Sequence, residues 1–394
     1  MKSTGIAWKL GGQATYTRGA NPMVLQQAFH RNPTQYLSRE TPQEPVFFFD
    51  PARLTATARV FLDGFPGLVT FAVKANPDRA VLEALAAAGV GAFDVASPEE
   101  MHMVRAVAPG AVLHYHNPIR ALSEIAEGRR MGVTSWSVDR LSELDKLGDL
   151  SGQEIAVRLK LPVAGAVYDF GSKFGAEPGR AAALLAEVVA RGGTPSITFH
   201  PGTQCRDAQA WVAYIHAAAR VAETAGVTLH RLNVGGGFPA HREDPAPDLP
   251  AIFEAIEEAT RAAFATPPAL VCEPGRAMVA DCFELALLVK AATEGAVFLN
   301  DGIYGGLSEW RDLGPSARIT ALSPAGTPRS APLRPLTVFG PTCDSLDRLS
   351  ETVLLPGDLA EGDYLLFHAC GAYSNALATR FNGYGARKIV TLAR

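Results

Sequence analysis

Before about residue 280, short runs of continuously apolar residues alternate with Ala-, Leu- and Glu-rich stretches whose apolar positions recur at helical spacing. Eight runs read as strands: 69–73, 92–96, 111–115, 134–138, 155–160, 196–199, 232–234 and 269–272. Unbroken apolarity, rather than in-out alternation, is what a parallel strand covered on both faces requires. Between them, residues 79–88, 98–108, 181–191 and 208–225 carry good helix formers and predict helices. Eight strand-plus-helix units predict a TIM-type (β/α)8 barrel, with an open doubly wound sheet as the alternative.

The positions of the polar residues favour the barrel. Lys74 follows the first strand, Asp94 lies in the second, Arg158 near the end of the fifth, and His200 after the sixth. Gly235-Gly236-Gly237 follows the seventh and Glu273-Pro274-Gly275-Arg276 the eighth. In a closed barrel all of these ends share one rim, where such folds build their active sites.

From about residue 281 the texture changes to longer apolar runs bounded by turns, at 283–290, 296–299, 336–339 and 364–367, with no regular helices between. That predicts a separate, largely antiparallel β domain. Residues 313–335, rich in Pro, Ser, Ala and Arg, read as a surface loop, and 1–45 as a weakly periodic, partly ordered extension. The expected division is a barrel over 46–280 and a β domain built from 281–394 with the extension 1–45.

Composition narrows the function. With a net charge of -4 and only 19% charged residues, the chain has no basic excess, which argues against a nucleic-acid partner. Five cysteines, odd in number and without a CxxC pair, support neither a disulfide framework nor a zinc site, so no metal is expected. There is no leader-like apolar segment and no run of the roughly 20 apolar residues a membrane span needs. A cytoplasmic location without membrane association is the expectation.

A lysine closing an apolar strand, as in Phe71-Ala72-Val73-Lys74, either snorkels outward or is held for chemistry. A buried lysine with a lowered pKa is the form suited to a Schiff base. Gly235 to Gly237 let backbone N–H groups approach a phosphate, and Gly275-Arg276 adds a second loop with a fixed cation. Glu273 at the eighth strand end is placed to keep a pyridine nitrogen protonated; alternatively it is one half of an ion pair. Taken alone, Cys343 would be a buried structural thiol, but its setting among the turn residues Gly340-Pro341-Thr342 and the acidic Asp344 and Asp347 argues otherwise.

Nine motifs carry a resemblance. They are Phe71 to Pro77, Phe93-Asp94-Val95-Ala96-Ser97, Lys173-Phe174-Gly175, Phe199-His200-Pro201-Gly202-Thr203-Gln204, Leu232 to Pro239, Glu273 to Arg276, Asn300 to Gly305, Gly340 to Asp347 and Gly371-Ala372-Tyr373. In this order they resemble the motif set of the fold-type III pyridoxal-5′-phosphate (PLP) decarboxylases, the ornithine/diaminopimelate/arginine decarboxylase family, over residues 46–384. The resemblance implies PLP as cofactor and a homodimer whose active sites are shared across the interface. It implies that Lys74 anchors the cofactor, Glu273 partners the pyridine nitrogen and His200 stacks on the ring, with Asp94 and Arg158 supporting. Thr203, Gly235, Gly236, Gly237, Gly275, Arg276 and Tyr373 become the phosphate cradle. Cys343 becomes the proton donor to the α carbon and Asp344 the partner of the substrate's distal ammonium, both supplied by the other subunit. Lys173 and Asp347 resemble an intersubunit ion pair, and Tyr304, Asp312 and Phe381 complete the substrate pocket.

Two departures stand out. Pro201-Gly202-Thr203 follows the histidine where Val-Gly-Ser is common, with Thr203 keeping a hydroxyl. After Tyr304, the aspartate that grips the distal amine has only Asp312 or Glu309 as candidates. The Cys-Asp-Ser-Leu-Asp run favours L-ornithine or L-lysine as substrate, with the diamine product feeding polyamine biosynthesis. Diaminopimelate or arginine decarboxylation is the alternative, and a non-catalytic homologue acting as a regulator is the rival from another class.

Overall fold

The computed structural model describes residues 30–161, 173–386 and 388–393, together with the backbone of 24–26. Two strands precede the barrel, β1 (Val24–Gln26) and β2 (Val46–Phe49). Eight parallel strands then close on themselves: β3 (Gly67–Ala72), β4 (Ala92–Val95), β5 (Val112–Tyr115), β6 (Val133–Val138), β7 (Glu154–Arg158), β8 (Thr194–Thr198), β9 (Arg231–Asn233) and β10 (Ala269–Cys272). β10 pairs with β3 to seal the barrel, so the closed alternative is the right one.

The intervening helices form where the sequence supplies both ends. Asp50 caps Pro51–Gly64 by accepting from the N–H groups of Ala52 and Arg53, Asp78 caps Arg79–Ala88, and Ser97 caps Pro98–Val107. Their apolar faces meet the outside of the barrel in one continuous core, where Phe61, Trp211, Phe238 and Phe253 interlock.

The second unit is a mixed, mostly antiparallel sheet of β1, β2, β11 (Phe283–Ala292), β12 (Ala296–Leu299), β13 (Ile319–Leu322), β14 (Leu333–Phe339), β15 (Val353–Pro356), β16 (Tyr364–Phe367) and β17 (Lys388–Thr391). β11 is its spine, antiparallel to β2, β12 and β16.

Three features differ from the sequence reading. The strand Val46–Phe49, expected at the head of the barrel segment, belongs to the second sheet, where Phe49 stacks on Phe283 at 4.8 Å. A short helix, Ser308–Leu313, stands in a domain expected to have none, anchored by the fully buried Trp310 against Phe367. The supposed loop 313–335 contains β13 and the start of β14, because the alternating Ile-Thr-Ala-Leu segment pairs with β16 despite its Pro- and Arg-rich flanks. Among the described residues no helix is long and apolar enough to cross a membrane, and all five cysteines are free thiols.

Candidate active site

Lys74 sits in a single 3₁₀ turn, Val73–Ala75, at the carboxyl end of β3. Its side chain reaches into an open cleft at the barrel mouth, so it is solvent-accessible although protein surrounds it deeply. Burial alone would lower its pKa, but Tyr373, Asp94 and Glu273 together hold it above the ordinary lysine value. This reverses the lowered pKa expected from sequence, because acidic groups from three separate segments converge on one ammonium.

Glu273, one residue past β10, is set by two donors. Asn233 of β9 donates to its Oε1 at 2.5 Å, and His116 Nδ1 lies 2.6 Å from the same oxygen. Burial would raise the carboxyl's pKa, yet His116 and Lys74 pull it down to about 2, so Glu273 is ionised. Asp94 behaves oppositely. Its burial and the nearby Glu273 charge push it up to about 7, and its buried Oδ1 has no hydrogen-bond partner.

His200, just beyond β8, accepts at Nδ1 from the Gly202 N–H at 3.1 Å. Burial, Lys74 and Arg158 press its pKa to about 3, which leaves the ring neutral and suited to stacking. Arg158 at the end of β7 lies over Phe174 at 5.4 Å and faces Glu273 and Asp94.

The triple glycine divides its labour. Gly235 has φ +69, and a Cβ there would sit 2.0 Å from the Phe199 carbonyl; Gly237 is likewise jammed against the Gly202 carbonyl. These two lock the β9 loop onto the His200 loop. Gly236 packs against the Glu273 loop instead: its Cβ would fall 2.8 Å from the Glu273 carbonyl and 3.2 Å from His200 Nε2. A side chain there would therefore crowd both the Glu273 backbone and the edge of the histidine ring. Gly275 caps the short helix Arg276–Val279, and the Arg276 guanidinium lies 4.9 Å above the Tyr373 ring. Tyr373 is tied to the same rim by its N–H, which donates to the Ala75 carbonyl at 2.7 Å. Thr203 is buried beside this loop.

The cleft fits pyridoxal phosphate: a neutral aromatic floor, an ionised carboxylate, an unsatisfied buried Asp94 oxygen, and a guanidinium beside glycine backbone. Glu309 occupies an unforeseen place. It is 3% exposed and ion-paired with Arg276 and, at 3.7 Å, with Arg242. It therefore faces the guanidinium assigned to the phosphate rather than standing ready for a distal amine.

The remaining candidates gather on the β domain. Cys343 is exposed, with its Sγ 3.5 Å from Asn382 Oδ1. Tyr304 donates its hydroxyl to Asp344 Oδ2 at 2.6 Å, and its ring lies 5.0 Å from that of Phe381. The Tyr304 hydroxyl and the Leu346 N–H hold the Asp344 carboxyl below its usual range. Among the described residues, every hydrogen bond of Cys343 and Asp344 stays within this domain, while the charges around Lys74 come from the barrel and Tyr373. Asp312 pairs with its neighbour Arg311 at 2.7 Å. Asp347, expected opposite Lys173 of another subunit, is 1% exposed and takes N–H groups from Ile303 and Thr342 and the Thr342 hydroxyl. Lys173 lies over Phe174 at 4.9 Å.

Sequence reasoning missed His116, Asn233 and Ser135. The signal was present in Leu113-His114-Tyr115-His116, since residues two apart on a strand point to the same side.

Residues 52–280 match the family model described as "Pyridoxal-dependent decarboxylase, pyridoxal binding domain". The chain is 30% identical over 357 residues to ornithine decarboxylase of Mus musculus, covering 82% of this chain and 75% of that protein. It is 32% identical over 352 residues to antizyme inhibitor 2 of Xenopus laevis, again 82% and 75% of the two chains. Among solved structures, a lysine/ornithine decarboxylase from Vibrio vulnificus complexed with cadaverine superposes with a TM-score of 0.78 at 28% identity, covering 89% of this chain and 95% of that one.

Proposed function

Because the chain belongs to the pyridoxal-dependent decarboxylases, we propose that it removes the α-carboxyl group of L-ornithine or L-lysine to give the diamine, feeding polyamine biosynthesis. The observation that carries the substrate class is Asp344, an ionised carboxylate beside the exposed Cys343 thiol, buttressed by Tyr304, whose ring packs on Phe381. In a closed site such a carboxylate pairs with a distal ammonium through charge-assisted hydrogen bonds, whereas a substrate without that cation leaves it unpaired.

Lys74 would hold the cofactor covalently, His200 its ring, Glu273 its ring nitrogen, and Arg276 with the Gly236 loop its phosphate. Bound there, pyridoxal phosphate supplies the electron sink for the pair released as CO2 departs. The ionised Glu273 would accept the hydrogen bond of a protonated ring nitrogen. Arg158 and Asp94 balance the charge around Lys74, and Cys343 delivers a proton to the α carbon. Since Cys343 and Asp344 bond only within the β domain, a second copy of the chain is the natural source of these two groups in a homodimer.

The test is CO2 release from ornithine, lysine, arginine, diaminopimelate and norleucine by wild type and Asp344→Asn. We expect ornithine or lysine to be best and to lose about tenfold or more in kcat/KM on substitution, with norleucine unaffected. Equal turnover of all five, or no release from any, would overturn the reading.

A further inference from the structure

Four barrel strands meet at His116. It follows β5 directly and lies with His114 on the inner side of the barrel, their rings stacked at 5.3 Å. Its Nε2 is 2.9 Å from Ser135 Oγ of β6, and its Nδ1 is 2.6 Å from Glu273 Oε1 beyond β10. Asn233 of β9 completes the group with its Nδ2 3.0 Å from His116 Nδ1 and 2.5 Å from Glu273 Oε1. The Gly235 N–H donates to Asn233 Oδ1 at 2.9 Å, which fixes the amide with its nitrogen toward the carboxylate. Two donors therefore converge on one oxygen of Glu273. An ionised carboxylate only accepts, so His116 Nδ1 carries the proton in this contact.

We propose that His116 is a positioning residue, clamping Glu273 through Nδ1 so that the carboxylate stays ionised and turned toward the cofactor's ring nitrogen. This rests on the assignment of Glu273 to that nitrogen. Ser135 sets the plane of the imidazole, and Asn233 couples the clamp to the glycine loop. The charges around it agree. Burial would lower the His116 pKa, but Glu273, Asp94 and Glu154 outweigh it and leave it raised. His114, stacked alongside, is neutral, pressed to about 3 by burial and His116. Lys74 and Arg158 face Glu273 and Asp94, and Arg231 is paired to Glu154 at 2.9 Å. Without the imidazole, burial would dominate at Glu273 as it does at Asp94, and the carboxyl would begin to hold its own proton.

The experiment compares His116→Ala, His116→Gln, Ser135→Ala and Glu273→Gln in the PLP-loaded protein and in apo protein titrated with PLP. A buried hydrogen bond to a charge corresponds to a factor on the order of 10 to 100. We expect His116→Ala to lower kcat by that factor with substrate KM within about twofold. The pH titration of the bound cofactor's visible absorption should move upward, as Glu273 protonates at a higher pH. His116→Gln, a neutral donor, should restore PLP affinity but not the wild-type pH titration, and Ser135→Ala should shift that titration in the same direction by less. If the His116 variants only lower Tm and leave absorption, its pH titration and kcat unchanged, His116 is a core histidine and the proposal fails. If His116→Ala does not fold, His116→Gln and Ser135→Ala carry the test alone. If Glu273→Gln is also without effect on absorption and kcat, the Glu273 assignment itself has failed; if Glu273→Gln has a large effect and the His116 variants none, only the clamp has.

Discussion

The barrel rim and the β-domain cluster divide the chemistry unequally. On the rim, the acidic groups are deep and held by their surroundings far from their ordinary pKa: His116 and Glu273 side chains are 4% and 11% exposed, with Glu273 at about 2 and Asp94 at about 7. On the β domain, Cys343 and Asp344 stand at the surface of a turn held by Asp347, Tyr304 and backbone N–H groups. The acidic groups of one side are fixed by buried contacts, whereas the other side presents its thiol and carboxylate at a surface. A site built in this way can bind cofactor with one half and acquire its proton donor from another chain.

The strongest test of that division uses two inactive proteins. Lys74→Ala should abolish borohydride trapping of the cofactor and all turnover, while Cys343→Ala should keep trapping and lose on the order of 10² to 10⁴ in kcat. Mixed and allowed to exchange, the two should regain activity in heterodimers. Confirmed exchange without recovery would break the two-half picture. Arg276→Ala sharpens the rim side: PLP affinity should fall on the order of 10- to 100-fold, read by cofactor titration, and Tm of the apo protein should fall too, because the buried Glu309 keeps only Arg242. An unaltered dissociation constant would make the Arg276 loop purely structural. On the other half, Tyr304→Phe should raise KM for ornithine or lysine only a few-fold, because the Asp344 it supports is half-buried and partly solvent-screened.

The smallest expected effect concerns pH. A carboxyl whose pKa is raised in the folded state destabilises that state once the pH exceeds the unfolded value of 3.8, with the cost growing until about 7. Asp94→Asn should therefore raise the apo protein's Tm at pH 8 and change it little at pH 4. Glu273 has the opposite sign: its contribution is present above its unfolded value of 4.5 and is lost as pH falls toward about 2. A Tm increase for Asp94→Asn that is equal at both pH values would show that packing, and not charge, is responsible.

Much of the rim was legible because its residues sit at strand ends, and eight apolar runs were enough to place Lys74, His200 and Glu273 on one edge. His116 was not, since its meaning comes from Glu273, which is 157 residues away and meets it only after β10 closes on β3. The sign of the Lys74 shift failed for the same reason: burial can be guessed from an apolar strand, but three acidic neighbours from other segments cannot. Glu309 looked like a loop carboxylate because the helix that carries it is short and its buried anchor, Trp310, is a single residue. Ile319–Leu322 was hidden by its flanks, and its pairing partner β16 lies far along the chain.

β2 pairs on one side with β11, which follows the whole barrel, and on the other with β17 near the end of the chain. On the ribosome, then, the β2 strand emerges before the barrel and has both edges open while every barrel unit is made. Its Val-Phe-Phe-Phe segment is fully buried in the finished protein, so during synthesis it is the part most in need of shelter. The barrel can close as soon as β10 is complete, whereas the sheet bearing Cys343 is sealed only when β17 arrives. Shortening the chain before Lys388 should therefore spare cofactor binding longer than it spares the surface that carries Cys343 and Asp344.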